Sequence, residues 1–388
     1  MPRSAEIATT PWARFDDLGS GRGLACPPPY RILTAARAAE VAPVLAEVER
    51  ATAAGDWAFG YVSYEAAPGL DPALEVVDPA ADDPPPAWFG LCGSPVEVPP
   101  VRAPRGGGRA TRWTPDWTSL DHANAVDRVR EHIAAGDTYQ CNLTDRLRAS
   151  FAGDPAALYA GLAAAQCGRY NAYLDLGRFV IASASPELFF EWAGDRLRTR
   201  PMKGTAARGR DPVEDGERAR RLRASPKEQA ENLMIVDLLR NDLARVATVG
   251  SVDVTELFAL ERYPTVWQLT SEITARIRPG AGLVDVFRAL FPCGSVTGAP
   301  KARSMQVIRD LEAGPRGVYC GAVGLVAPPG SAFRARFSVA IRTVVVDRES
   351  ATAVYGAGGG ITWDSDPAAE RAELLAKAAV LDRAAGQA

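Results

Sequence analysis

The chain predicts an α+β fold in which mixed, mostly antiparallel sheets sit in the centre and helices cover them. Three observations carry that reading. Short runs rich in β-branched and aromatic residues cluster over 142–200 and again over 319–360, and closely spaced strands of that kind pair as hairpins rather than as a parallel repeat. Longer runs with helical periodicity stand between and after the clusters, notably over 226–246 and from residue 367 to about 385, too irregularly placed for alternating strand–helix units. No internal repeat is apparent.

Taken in order, an alanine-rich stretch over 34–54 predicts a helix and 57–64 a strand. Proline, aspartate and glycine dominate 76–105, and the run Gly106 to Gly108 follows, a composition that marks a connection. The expected boundary therefore lies near residue 112, giving an N-terminal α/β sub-domain over 1–112 and a larger domain over 113–388. In the second part, 120–135 and 155–165 read as helices and 142–149 as a strand. Strands over 319–326 and 333–346 lead to a third that ends at Gly358-Gly359-Gly360.

Composition excludes several functions. The 388 residues are 47% hydrophobic and 23% charged, ordinary for a soluble globular protein, and no apolar run reaches the roughly 18 residues of a membrane helix. A net charge of −3 with interleaved arginines and acids speaks against a nucleic-acid partner. The six cysteines show no paired or metal-like spacing and the N-terminus lacks a signal-like apolar core, so a reducing cytoplasm is expected. The two histidines, His122 and His132, share one segment, which leaves little for a histidine triad or zinc site.

Of 44 basic residues only four are lysines, Lys203, Lys227, Lys301 and Lys377. Arginine keeps its proton at any working pH, whereas a desolvated lysine can act as a nucleophile. Lys203, between Pro201 and Gly204, is the best candidate for that role. Glu228 and Glu231 near the start of one helix, and Glu370 and Glu373 in the first turns of the last, are each three apart and so share a face. Where two such faces meet, a cation such as magnesium has to offset the four carboxylates; apart, each pair is simple N-terminal helix charge. The glycine run Gly358 to Gly360 offers backbone amides to an anion or is plain turn chemistry. Arg342, in an apolar alternation, either grips a ligand carboxylate or makes a structural salt bridge.

Six ordered segments then carry a resemblance across most of the chain: residues 136–144 (GDTYQCNLT), 185–187 (SPE), 201–205 (PMKGT), 230–238 (AENLMIVDL), 294–301 (GSVTGAPK) and 357–361 (AGGGI). Together they resemble the chorismate-utilising enzymes, which include anthranilate, aminodeoxychorismate, isochorismate and salicylate synthases, and they imply a two-lobed anthranilate-synthase-like fold with 113–388 as the chorismate-binding catalytic domain. Family members that use water carry a lysine base where this chain has Gln140, so Gln140 implies ammonia. Lys203 stands where anthranilate synthases carry alanine. The resemblance is thus to the aminodeoxychorismate synthase branch, with anthranilate synthase component I or a catalytically silent chorismate-binding paralogue as alternatives.

Carried over residue by residue, the resemblance implies that Lys203 attacks chorismate while Glu187 protonates the departing hydroxyl, and that Gln140 handles ammonia. It implies Mg2+ on Glu231 and Glu373, with Glu228 and Glu370 in support. Arg342, Tyr319, Gly358, Gly360, Lys377, Ser295 and Thr297 are the implied substrate contacts, and Lys301 either joins them or supports its loop. Gln268 stands where many members have a pocket-lining histidine, and can still hydrogen-bond but cannot carry charge near neutral pH. The implied partners are chorismate, ammonia and a separate glutaminase subunit, in the para-aminobenzoate branch of folate synthesis.

Overall fold

A computed structural model of the chain describes residues 10–103, 109–110, 112–263 and 266–384. Among them, strands form an 11-stranded and a 10-stranded sheet. The first contains Gln140–Ala152, Thr352–Ile361, Thr343–Asp347, Phe179–Ser185 and Tyr170–Asp175 side by side. The second contains Met202–Ala207, Val266–Arg276, Arg196–Arg200, Leu188–Ala193 and Ala335–Val339. Their neighbouring strands pair antiparallel.

The sheets face each other across an apolar layer that includes Ala13, Phe59, Tyr61, Leu174, Ile181, Val323 and Leu325. Helices cover the outer faces, as the sequence pattern requires. Val41–Ala53, Pro226–Ala244 and Leu283–Leu290 pack on the second sheet through a core centred on Phe189, Phe190, Phe287 and Phe337. Pro155–Gln166 and Pro367–Ala378 cover the first, burying Leu158, Leu162 and Leu374 against Val344 and Tyr355.

The boundary expected near residue 112 does not part the sheets. Trp12–Asp17 pairs with Tyr170–Asp175 in the first sheet, while Trp57–Val62 pairs with Ala322–Val326 in the second. Gly106 to Gly108, and residue 385 at the expected end of the last helix, lie outside the described residues.

Two further expectations change. The alanine-rich stretch begins as a strand, Arg31–Ala35 paired to Ala87–Cys92, and the helix starts only at Val41; cross-strand pairing outweighs local propensity there. The strand expected over 333–346 is two, Ala335–Val339 in the second sheet and Thr343–Asp347 in the first. Arg342 sits at the crossing with φ +53°, a left-handed conformation that ends one strand and redirects the chain. The chain makes the opposite crossing at Pro186-Glu187, between Phe179–Ser185 and Leu188–Ala193. The two crossings are tied together: Val339 N–H donates to Glu187 O at 3.1 Å, and Ala184 N–H to Arg342 O at 3.0 Å.

Candidate active site

Lys203 is aimed by a bulge. Met202 pairs with Thr270 and Thr205 with Gln268, so Lys203 and Gly204 together stand opposite the single residue Leu269. Such an extra residue bends the strand and re-aims a side chain. Gly204 takes φ +86°, and a Cβ there would lie 2.8 Å from Glu228 Oε2; only glycine fits both constraints.

The half-buried Lys203 side chain reaches the glycine run of Thr352–Ile361. A Cβ on Gly360 would lie 3.3 Å from Lys203 Nζ and 1.9 Å from Gln140 Nε2, so the missing side chain is what lets those two groups meet. Gln140 is 1% exposed, and its Oε1 has no partner among the described residues. Thr138 fixes its backbone, with its hydroxyl donating to Gln140 O at 2.9 Å and standing 2.8 Å from Ser304 Oγ.

Glu187, 2% exposed at the sheet crossing, also has an unpaired oxygen, Oε1. Burial pushes its pKa up to about 7, against the opposing pull of a Ser295 hydrogen bond and the Lys203 charge. A carboxyl poised there can hold a proton near neutral pH and give it up. Leaving a buried acceptor unpaired costs about 1–3 kcal/mol, so two beside one amine mark a place built to receive a ligand.

The four glutamates come from two helices that begin alike. Ser225 caps Pro226–Ala244 by accepting from Glu228 N–H at 3.4 Å, Asp366 caps Pro367–Ala378 by accepting from Ala369 N–H at 2.8 Å, and each helix opens on proline. The glutamates therefore fall in the first turns, and the two faces do meet. Burial, then the Glu231 and Glu373 carboxylates, hold Glu228 above the usual carboxylate range. Glu370 is likewise raised, by burial and then Glu373, with a Ser365 hydrogen bond opposing. Burial also works against ionised Glu373, but Lys377 outweighs it and holds Glu373 below its ordinary value.

Lys377 Nζ stands 2.7 Å from Glu373 Oε1 and donates to Gly358 O at 2.7 Å. Burial lowers its pKa, with the Glu373 carboxylate opposing. A Cβ on Gly359 would lie 3.3 Å from Glu370 Oε2 and 3.9 Å from Glu373 Oε1, which sets this acidic edge one residue from the Lys203 contact. Among the described residues no three acidic, histidine or cysteine side chains close into a ligating cluster by themselves. An all-oxygen set of this kind fits magnesium, which keeps several waters and accepts ligand oxygens in its shell.

The other expected residues are more dispersed. Ser295 is buried beside Glu187, with its hydroxyl 3.3 Å from Cys293 Sγ. Thr297 is fully buried and its hydroxyl donates to Cys293 O at 3.2 Å. Tyr319 packs its ring on Gly356, on the same strand as Gly358 and Gly360. Arg342 donates to Lys377 O at the end of helix Pro367–Ala378, and Tyr355 OH donates to the same carbonyl at 3.0 Å. A cation there also suits the helix dipole. Gln268 Nε2 donates to Gly204 O at 3.0 Å, and its Oε1 accepts from Thr205 Oγ1 at 3.1 Å. Lys301 ties Asp242 and Leu290 O at 2.8 and 3.2 Å, the loop-supporting role of its two readings.

Sequence reasoning missed one anchor. Arg371, between Glu370 and Glu373, donates to Asp145 Oδ2 at 3.1 Å and Trp117 O at 3.0 Å, pinning the acidic helix to strand Gln140–Ala152. An arginine on the same short run as the glutamates was the available signal.

An amine, a near-neutral carboxyl and four glutamates thus gather where strands of both sheets and the first turns of two helices come together, the layout of an enzyme site. The family model described as chorismate binding enzyme matches residues 93–383, and the chain belongs to that family. It is 44% identical over 267 residues to anthranilate synthase component 1 of Streptomyces coelicolor, covering 68% of this chain and 51% of that protein. It is 40% identical over 316 residues to aminodeoxychorismate synthase of Streptomyces griseus, covering 80% and 43%, and 41% identical over 266 residues to aminodeoxychorismate synthase component 1 of Salmonella typhimurium, covering 68% and 57%. The chain thus spans about half the length of these curated relatives. The fold is that of anthranilate synthase component I from Streptococcus pneumoniae, with a TM-score of 0.80 at 23% identity over 98% of this chain and 94% of that one. No helix among the described residues is long and apolar enough to cross a membrane.

Proposed function

We propose that the chain converts chorismate and ammonia into 4-amino-4-deoxychorismate and water through a covalent bond to Lys203. The observation that carries this reading is the meeting of Lys203 Nζ and Gln140 at Gly360, with Gln140 Oε1 unpaired. The relatives named aminodeoxychorismate synthase support it.

In the reaction, the Lys203 amine attacks ring carbon C2. The two ring double bonds shift, and the C4 hydroxyl leaves as water with the proton of Glu187. Ammonia, oriented through a hydrogen bond to Gln140 Oε1, attacks C4. The double bonds shift back, the C2–N bond to Lys203 breaks, the amine is released, and the extra proton on the new C4 nitrogen returns to Glu187. The enolpyruvyl arm stays attached throughout. Glu231 and Glu373, with Glu228 and Glu370 beside them, would hold a magnesium ion, and that ion would supply charge neutralisation for the ring carboxylate. Arg342, Tyr319, Lys377 and the Gly358 and Gly360 amides orient the substrate carboxylates, and Ser295 and Thr297 line the ring. A separate glutaminase subunit supplies the ammonia, in keeping with the "component 1" in relatives' names, and the cell compartment is the cytoplasm.

The 44% identity to an anthranilate synthase component 1 favours a second reading, in which the same pocket expels pyruvate and yields anthranilate. Mass spectrometry of the products from chorismate, ammonium and Mg2+ separates them. The amino compound without pyruvate is expected; anthranilate with stoichiometric pyruvate overturns the first reading.

A further inference from the structure

We propose that Gln268 is a positioning residue whose side-chain amide locks the Lys203 bulge, and that it does not contact substrate. Gln268 lies on Val266–Arg276 directly opposite Thr205. Its Nε2 donates to Gly204 O at 3.0 Å, and its Oε1 accepts from Thr205 Oγ1 at 3.1 Å. Both ends of one amide are thus committed to the two residues that follow Lys203.

The bulge needs such a clasp. Its extra residue interrupts the sheet ladder, and its left-handed turn at Gly204 rests against the Glu228 carboxylate. A repulsive like-charge group, Glu231, stands next to that carboxylate on the same helix, so the bulge has an acidic wall on one side and the Gln268 amide as a polar tie on the other. The neighbouring residue anchors the tie: Trp267 Nε1 donates to Asp215 Oδ1 at 2.9 Å, and the Arg208 guanidinium stacks 4.9 Å over the Trp267 ring. An uncharged amide can donate and accept at once over the whole working pH range, whereas an imidazole loses its acceptor when it protonates. Small displacements of a reacting group are costly: about 1 Å can lower a rate 10²-fold.

The inference rests on the reading of Lys203 as nucleophile. Its test is steady-state kinetics on Gln268→Met, which keeps length and removes both bonds, together with Thr205→Val, Thr205→Ser and the double variant. Gln268→Met is expected to lower kcat about 10- to 100-fold with chorismate KM changed less than about twofold. Thr205→Val is expected to lower kcat several-fold and Thr205→Ser to restore it, and the double variant should fall little below Gln268→Met because both changes break one clasp. A raised KM at unchanged kcat makes Gln268 a substrate contact and overturns the proposal, as does additivity in the double variant. Lys203→Ala run alongside separates the two claims: full activity in that variant removes the nucleophile, whereas loss there with wild-type kinetics in Gln268→Met removes only the clasp. Should Gln268→Met fail to fold, the Thr205 pair decides alone.

Discussion

The surroundings of Lys301 and of Lys203 each include a buried carboxyl and do opposite things. Lys301 is 11% exposed at the side chain, lies 2.8 Å from Asp242, and donates to Leu290 O; its charge is fully answered by the protein. The Lys203 side chain has neither hydrogen bond nor ion pair among the described residues, and Glu187 and Gln140, which both act on its surroundings, each keep an unpaired buried oxygen. Saturated polar contacts hold a fold, while unsaturated ones beside a free amine leave capacity for a ligand. Arg316 repeats the first pattern, with Glu312, Val296 O and Asn142 O all within 2.9 Å.

That contrast can be broken most sharply by truncating each lysine. Lys203→Ala should lower product formation by more than about 10³-fold while thermal unfolding stays within about 0.5 kcal/mol of wild type. Lys301→Ala should instead destabilise the fold by about 3 kcal/mol, because buried Asp242 loses its counter-charge. Calorimetry and product assays on both variants check the pair; similar behaviour of the two erases the distinction.

Next in size is Glu187→Gln, expected to lower kcat about 10²- to 10⁴-fold. The pH profile sharpens it. Glu187 must be protonated to give up its proton, so wild-type activity should fall as pH rises through about 7, and any residual activity of the variant should lack that limb. The same shift has a sign for stability. Its folded pKa lies above the ordinary 4.5, so between 4.5 and 7 the native state holds a proton that the unfolded chain releases, and stability falls as pH rises across that window. Glu65, also raised to about 7 by burial, adds to the fall; Glu65→Gln should flatten the melting-temperature profile without touching the activity limb.

A smaller effect is expected from Gly360→Ala. Its Cβ would fall on Gln140 Nε2, so the amide must leave its present place. Stability should drop by about 1–3 kcal/mol, and the apparent KM for ammonium should rise more than that for chorismate. Chelation by EDTA should abolish turnover and added Mg2+ restore it, with Glu373→Gln raising the Mg2+ concentration required; turnover indifferent to EDTA removes the metal from the account.

Much of this was readable from the chain. The two acidic helices announce themselves through Ser225-Pro226 and Asp366-Pro367, because a cap and a proline at the first helical position act locally. The sheet crossing at Arg342 was not readable: apolar alternation runs through it, and no glycine marks the left-handed residue. Gly204 signalled a close approach but not the bulge, since register depends on a partner strand 63 residues away in the Thr205–Gln268 contact. Gln268 stood out as a departure from a family pattern, yet its role follows from what lies across the sheet from it.

A bond between Lys203 and the substrate ring is read directly by intact-protein mass spectrometry with peptide mapping. Incubated with chorismate and Mg2+ but no ammonia, the protein should gain the mass of chorismate less one water on the peptide containing Lys203, and lose that gain when ammonium is added. Product formation at full rate by Lys203→Ala, or an adduct mapped to another residue, contradicts it.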